Sequence, residues 1–332
     1  MPPTRLFAIA DDAPDGASHA QLAALAANLD AERFSLKSAI LCASATESKI
    51  GHPERTGIPR ITTPAPSPQS PAPVPRSTRW SIDPRAVWQL RRLVLEASPD
   101  VVLTIGEVAA VDGRLAAVLA GCKRIVACWP SVDFDFLGSI AHLDRWLMRH
   151  TSKFVLASDA ERDAAIDHGW PPERLAVVPI AVAPLVMTLA REAAFRPLSI
   201  PPESPVIAVV SPWSPRHRVK EAIWGFDLLR AVRRDAHMIV AGEGPERADL
   251  EAFRDSQECQ HAIHFVGPSA LPDEWLAHAG VLWSLDPGPR VAYATWRAAA
   301  SGVPVVAVDS PAHRAFIVPN ATGLIVPGAV RP

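Results

Sequence analysis

A chain of 332 residues with 48% hydrophobic side chains carries enough apolar material for two cores of about 150 residues each, and stretches a single one. Its formal net charge of -2 provides no global field to recruit nucleic acid or an anionic membrane, which leaves a small-molecule or protein partner. The four cysteines, Cys42, Cys122, Cys128 and Cys259, have neither Cys-x-x-Cys spacing nor paired histidines, which argues against a metal site and for a reducing compartment. The opening MPPTRLFAIADD has too short an apolar run for a signal peptide. The weakly polar run Ala176 to Ala190 contains Pro179 and Pro184 and is too short for a transmembrane segment, so a cytoplasmic location is the simplest reading.

Residues 5–10 form an apolar run that predicts a strand, followed by a turn over 11–16. Leu22, Leu25 and Leu29 recur at helical spacing and predict a helix over 17–30, and 34–42 returns as a strand. The rhythm then breaks. Pro64, Pro66, Pro68, Pro71, Pro73 and Pro75 exclude a helix or a central strand, leaving an extended surface loop or, less economically, a ligand for an SH3-type partner. Asp83-Pro84 supplies an N-cap and an N1 proline for a helix whose inner face is Val87, Leu90 and Val94. Strands beginning at Pro99-Asp100-Val101-Val102 and near 124–128 and 153–157 alternate with helices near 108–120, 137–150 and 159–168. The last of these opens on the capping pattern Ser158-x-x-Glu161. Such alternation predicts a parallel sheet covered on both faces.

In the loop after 124–128, Trp129 is a candidate for stacking on a ligand or for half-burial, and Asp133 and Asp135 are candidates for accepting hydrogen bonds from a ligand or for solvation. After the strand-like 175–183 and the proline-rich 201–205, alternation resumes. Strands are expected at 206–210, 237–241, 263–266 and 281–283, with helices near 217–233, 246–256 and 271–278. The turn Ala241-Gly242-Glu243-Gly244-Pro245 lacks the third glycine of a dinucleotide fingerprint, because Arg247 stands there.

From Val281 to Gly328 the chain reads VLWSLDPGPRVAYATWRAAASGVPVVAVDSPAHRAFIVPNATGLIVPG, a strand, loop, helix, glycine and buried strand in βαβ order. This frame, running from Ser301-Gly302-Val303-Pro304-Val305-Val306 to Thr322-Gly323-Leu324, resembles the nucleotide-sugar half of retaining GT-B glycosyltransferases. That family, glycosyl transferases group 1, includes sucrose and glycogen synthases and bacterial mannosyltransferases. Gly242-Glu243-Gly244-Pro245 is similar to its Gly-x-Gly-Pro turn, and Phe265-Val266-Gly267-Pro268 to the turn that holds the nucleotide base. Asp15-Gly16 stands where its Gly-Gly turn approaches donor phosphates.

The resemblance implies an α/β GT-B architecture, with two Rossmann-like, doubly wound parallel-sheet domains facing a cleft. Residues 1–183 would be an N-terminal acceptor-side domain carrying the Pro-rich loop 59–82, residues 184–205 a linker, and 206–332 the nucleotide-sugar domain, ending before the usual C-terminal crossing helices. It implies a UDP-, GDP- or ADP-sugar as substrate, no cofactor and no metal. The acceptor would be a sugar, lipid or protein, and peripheral membrane contact is left open.

The chemistry of such a site asks for cations and backbone N–H groups to stabilise charge gathering on a departing diphosphate. The family's two glutamates, eight positions apart, fall at Pro289 and Arg297, and its Arg and Lys fall at Pro212 and His217. Arg216, Arg218, Lys220, Arg290 and Arg297 are the cations nearby. No catalytic residue is assigned. The candidate donor-binding set is Gly16, His217, Arg218, Lys220, Gly242, Gly244, Gly267, Pro268, Arg290, Arg297, Thr322 and Gly323, with Thr322-Gly323 expected as a turn of positive φ. His313-Arg314 resembles a Pro-x-His-Arg-Glu variant of the donor-site turn, with Ala315 at the glutamate. Two readings follow: a retaining hexosyltransferase, or a catalytically inactive relative serving as a binding or scaffolding module.

Overall fold

The computed structural model describes residues 2–11, 17–43, 72–76, 82–129, 141–182, 185, 187, 189–267 and 272–328. The chain divides into two units, Met1–Ala181 and Val182–Pro332.

In the first unit seven strands form one parallel sheet in the order β3-β2-β1-β4-β5-β6-β7. They are β1 (Thr4–Asp11), β2 (Phe34–Ala43), β3 (Ala72–Arg76), β4 (Val101–Ile105), β5 (Ile125–Cys128), β6 (Lys153–Leu156) and β7 (Leu175–Val177). Among the described residues the helices are α1 (Ala17–Asn28), α2 (Pro84–Ala97), α3 (Arg114–Leu119), α4 (Ala141–His150) and α5 (Asp159–Asp167). β1 shows why both faces need cover. Phe7 and Ile9 enter the core shared with Val87, Leu90 and Val94 of α2, while Ala8 and Ala10 join Leu22 of α1 and Ile105 on the other face. β3 lies at the sheet edge beside β2, which is where strand prolines are tolerated because their missing N–H groups interrupt no inner ladder.

Local signals work as the chemistry requires. The Asp83 carboxylate accepts from the backbone N–H of Arg85 and Ala86 at 2.9 and 3.3 Å. Ser158 Oγ accepts from Glu161 N–H at 3.2 Å, and the Glu161 carboxylate reaches back to Ala157 N–H at 2.9 Å. Between β4 and α3 the chain makes a π-helical turn, Ala109–Gly113, so close to the sheet that a Cβ on Gly113 would lie 2.8 Å from the Thr104 methyl. The turn delivers Arg114 into the interior, where it donates to Asp144 of α4 at 2.6 Å.

The second unit holds six parallel strands in the order β10-β9-β8-β11-β12-β13. They are β8 (Val206–Val210), β9 (His237–Ala241), β10 (Ile263–Val266), β11 (Val281–Ser284), β12 (Val305–Val308) and β13 (Gly323–Val326). Its described helices are α6 (Arg191–Phe195), α7 (Val219–Arg230), α8 (Arg247–Ser256), α9 (Pro272–Leu276), α10 (Tyr293–Ala300) and α11 (Pro311–Phe316). Ile207 and Val209 face one core, and Val206 and Ala208 the other.

The stretch 184–205, read in the sequence as a linker, is built into this second unit. Leu185, Phe195 and Ile200 enter its core. Arg191 donates to the carbonyls of Pro202 (2.6 Å), Ser204 (2.7 Å) and His278, and Leu189 N–H donates to Glu274 at 3.0 Å. Its prolines suggested a connector, but a spacer would leave these apolar side chains in water. Gly323 also departs from expectation. It is absent from the positive-φ residues, and glycine is needed there because a Cβ would lie 2.1 Å from the Val305 carbonyl oxygen.

Truncating Asp144 to Ala would leave the Arg114 guanidinium buried without its carboxylate and lower stability by about 3–5 kcal/mol, read as a drop in chemical-denaturation midpoint. On adjacent strands, His237 Nδ1 and His264 Nε2 lie 3.1 Å apart, beside Arg230, Arg254 and His261. Burial, followed by its charged neighbours, lowers the His264 pKa to about 4, and burial lowers that of His237. A histidine depressed in the folded state favours unfolding wherever only the unfolded chain protonates. The melting temperature should therefore hold above the ordinary histidine pKa near 6.5 and fall as pH drops from there to about 4. His264→Asn should flatten that fall.

Candidate functional site

A doubly wound sheet binds ligands beyond the carboxyl ends of its strands, where the strand order reverses. In the second unit this point lies between β8 and β11, which pair from Val281↔Ile207 to Trp283↔Val209. The loops leaving them run over 211–218 and 285–292.

The first loop is fixed by a close approach of backbone to backbone. Ser211 N–H donates to the Ala241 carbonyl (3.0 Å) and Trp213 N–H to that of Glu243 (2.9 Å), laying 211–213 across the Gly-x-Gly turn after β9. A Cβ at Gly242 would lie 2.0 Å from the Ser211 carbonyl oxygen, and one at Gly244 would lie 2.2 Å from that of Trp213. Both glycines are therefore dictated by this crossing, and at Gly242 also by φ +151°. Trp213, fully buried, packs edge-on to Phe265 with centroids 5.3 Å apart. Its indole N–H has no acceptor among the described residues.

The loop's polar residues meet those of the β11 loop. Arg290 donates through Nε to Asp286 Oδ2 at 3.3 Å and through Nη2 to His217 Nε2 at 3.1 Å. A guanidinium only donates, so His217 Nε2 is the acceptor, and Nδ1 carries the ring proton toward Ser214 Oγ at 2.8 Å. The second Asp286 oxygen accepts from Gly288 N–H at 2.8 Å. A Cβ on Gly288 would lie 2.9 Å from Asp286 Oδ1 and 3.2 Å from Arg216 Nη2, so glycine lets carboxylate and guanidinium come together. The Asp286 and Arg290 side chains are only 11% and 13% exposed. Arg216, His217, Asp286 and Arg290 thus form one nearly buried, mixed-charge cluster at the switch point.

Other candidates distribute unevenly. Arg218 takes a left-handed conformation at φ +56°, forks onto Glu221, with Nε to Oε1 at 2.9 Å, and passes near Gly328 beyond β13. Lys220 extends along α7 to place its ammonium 4.8 Å from the Phe253 ring centroid and is not brought to the cluster. The Arg297 guanidinium lies 5.9 Å from the Tyr293 ring centroid, on its own helix. Thr322 and Gly323 sit at the amino end of β13, away from the carboxyl-end loops, and Thr322 Oγ1 accepts there from Val318 N–H at 2.9 Å. Gly267 follows β10. Gly16, Pro268, Asp133 and Asp135 lie outside the described residues.

Three side chains have roles that differ from their sequence reading. Trp129 is 1% exposed and packs near Phe154 at 6.0 Å between centroids, so no sugar reaches its face. His313, fully buried, ties three elements. Its Nδ1 donates to the Val308 carbonyl at 2.8 Å and its Nε2 accepts from Ser284 Oγ at 2.9 Å, while burial lowers its pKa and keeps it neutral. Arg314 pairs with Asp309 at 2.5 Å.

The corresponding switch point of the first unit, between β1 and β4, holds a buried carboxylate that sequence reasoning passed over as part of a turn. Asp11 accepts from Ser18 Oγ at 2.5 Å and from Val108 N–H at 2.8 Å, and Gly106, at φ +104°, leaves it room. The signal available was an acid directly after an apolar strand.

Residues 16–181 match the family model described as glycosyl transferase 4-like domain, and residues 204–331 match glycosyl transferases group 1. No match was found among curated proteins. Among solved structures, the chain is similar to Anabaena HepE in complex with UDP and glucose, with TM-score 0.71 and 15% identity over 98% of this chain and 86% of that one. It is also similar to the sucrose-phosphate synthase of Thermosynechococcus elongatus (TM-score 0.68, 13% identity, 98% and 86% covered). A Rickettsia africae glycosyltransferase matches at TM-score 0.64 and 12% identity over 98% and 85%. The fold is the GT-B fold.

Gly242→Ala should drive a methyl group into the Ser211 carbonyl in a strained conformation and destabilise the second unit by about 2 kcal/mol or more, measured by urea unfolding.

Proposed function

Since the chain belongs to the glycosyl transferases group 1 family, we propose that it transfers a hexose from a nucleoside diphosphate sugar to an acceptor with retention of anomeric configuration. The observation that carries this reading is the meeting of Arg216, His217 and Arg290 at the carboxyl ends of β8 and β11. As the sugar–oxygen bond breaks, negative charge gathers on the departing diphosphate. Guanidinium groups already fixed by protein partners stabilise that charge with little reorganisation. Asp286 sets the direction of Arg290 and His217 Nε2 accepts one of its N–H groups, so the guanidinium keeps a defined orientation. The buried Trp213 N–H beside Gly242 is a further donor for an anionic oxygen or an ordered water. Neither family glutamate position holds an acid, so ribose and sugar hydroxyls are bonded by other groups, backbone included. HepE was solved with UDP-glucose, which makes UDP the first base to test ahead of GDP and ADP.

At a hundredfold excess over Kd, the correct nucleotide should stabilise the protein by about 2.7 kcal/mol, seen as a raised melting temperature. Arg290→Ala should abolish that rise. With the matching α-linked donor, NMR of the product should show an α-linkage. A β-linked product would overturn retention, and no thermal response to UDP, GDP or ADP would overturn donor binding.

A further inference from the structure

At the other end of the first unit's sheet, near the amino ends of β5 and β6, lies a groove of about 610 Å³. Its walls include Val118, Lys123, Arg149, His150, Ser152 and Arg174, and none of its lining side chains is acidic. Arg174 closes the carboxyl end of α4 by donating to the carbonyls of Met148, Arg149 and Thr151 at 2.6–2.9 Å. The side chains of Lys123 and Arg149 are exposed and have no hydrogen-bond or ion-pair partner among the described residues. Both cations line the same groove.

Large apolar side chains rim the groove. Trp146, 38% exposed, packs on His150 with ring centroids 4.8 Å apart. Leu119, next in the chain to the groove residue Val118, is 52% exposed, and its carbonyl accepts from Arg91 Nε at 3.0 Å, which joins the end of α3 to α2. α2 then presents Trp88, Arg92 and Leu95 at positions i, i+4 and i+7, one helical face, with Trp88 61% exposed. On α2 Arg92 is paired with Glu96 at 2.8 Å, so the cations open to a headgroup are Lys123 and Arg149; with exposed indoles and leucines they match the chemistry of a bilayer interface, where aromatic rings lie at headgroup level and Lys and Arg meet phosphates.

We propose that this face seats on a bilayer containing anionic phospholipid. The groove cations take the phosphate headgroups, and Trp88, Leu119 and Trp146 enter the headgroup layer. A net charge of -2 gives no long-range attraction, but a local cluster needs none, since it acts within a screening length of about 8 Å at physiological salt.

The full chain is sedimented with phosphatidylcholine vesicles and with vesicles of equimolar phosphatidylcholine and phosphatidylglycerol. Binding is expected only to the second, weakening as salt rises, with a blue shift of tryptophan emission. Reversing both charges, Lys123→Glu with Arg149→Glu, should reduce binding by tenfold or more, because each cation contributes about fivefold. Trp88→Ser should weaken binding while keeping its salt dependence, and both variants should melt with the wild type. Equal binding to neutral vesicles, no binding to either, or full binding by the double variant would overturn the proposal. So would equal retention on immobilised polyglutamate without an emission shift, which would assign the face to an acidic protein.

Discussion

Parallel strands cannot be joined by a hairpin, and the crossover each connection must make puts every strand's carboxyl end on the same edge of the sheet. In the second unit, that constraint decides which loops can meet. β8 and β11 are 71 positions apart from Val210 to Val281, yet they are neighbours, with connections departing to opposite faces. The loops they release have nowhere to go but over the same opening. Arg216 and His217 come from one, and Asp286 and Arg290 from the other. Nothing in the chemistry of these side chains would bring them together without the strand order beneath.

Once assembled, the cluster is held by unequal partners. Arg290 is the centre because it donates to both a carboxylate and an imidazole. Asp286 is divided between that guanidinium and the Gly288 backbone, so its own orientation is fixed by a turn it helps to close. Charge is placed by backbone geometry, and backbone geometry is kept by charge. The glycines at 242, 244 and 288 serve this arrangement by what they lack, giving carbonyls and carboxylates space that any side chain would fill.

Much of this architecture was legible in the chain. Alternating apolar runs, the Asp83 cap and the Ser158–Glu161 box act through neighbours a few residues away, and such effects can be read locally. The Gly-x-Gly turn was visible too, though not its reason, since the carbonyls it avoids belong to another loop. Asp286 escaped notice because a lone acid just before a proline has no periodicity to mark it, and its worth depends on Arg290 and His217 meeting it from elsewhere. Lys220 misled in the opposite direction. Its position at a helix start suggested a phosphate contact, whereas the helical turn carries it toward Phe253. Trp129 was read as a stacking face or a half-buried ring and His313 as part of a donor-site turn, but each is buried inside a core where the surrounding packing, not the residue type, sets the role.

The arm over 185–200 has a bearing on how such chains are inherited. By sequence likeness the second half begins at residue 204, but its hydrophobic interior begins earlier, because Leu185, Phe195 and Ile200 are part of it. A recombination event that exchanged halves at the later point would separate a domain from three of its own core residues. The seam that selection could cross without damage lies near Ala181, so this preceding arm should travel with the domain it completes.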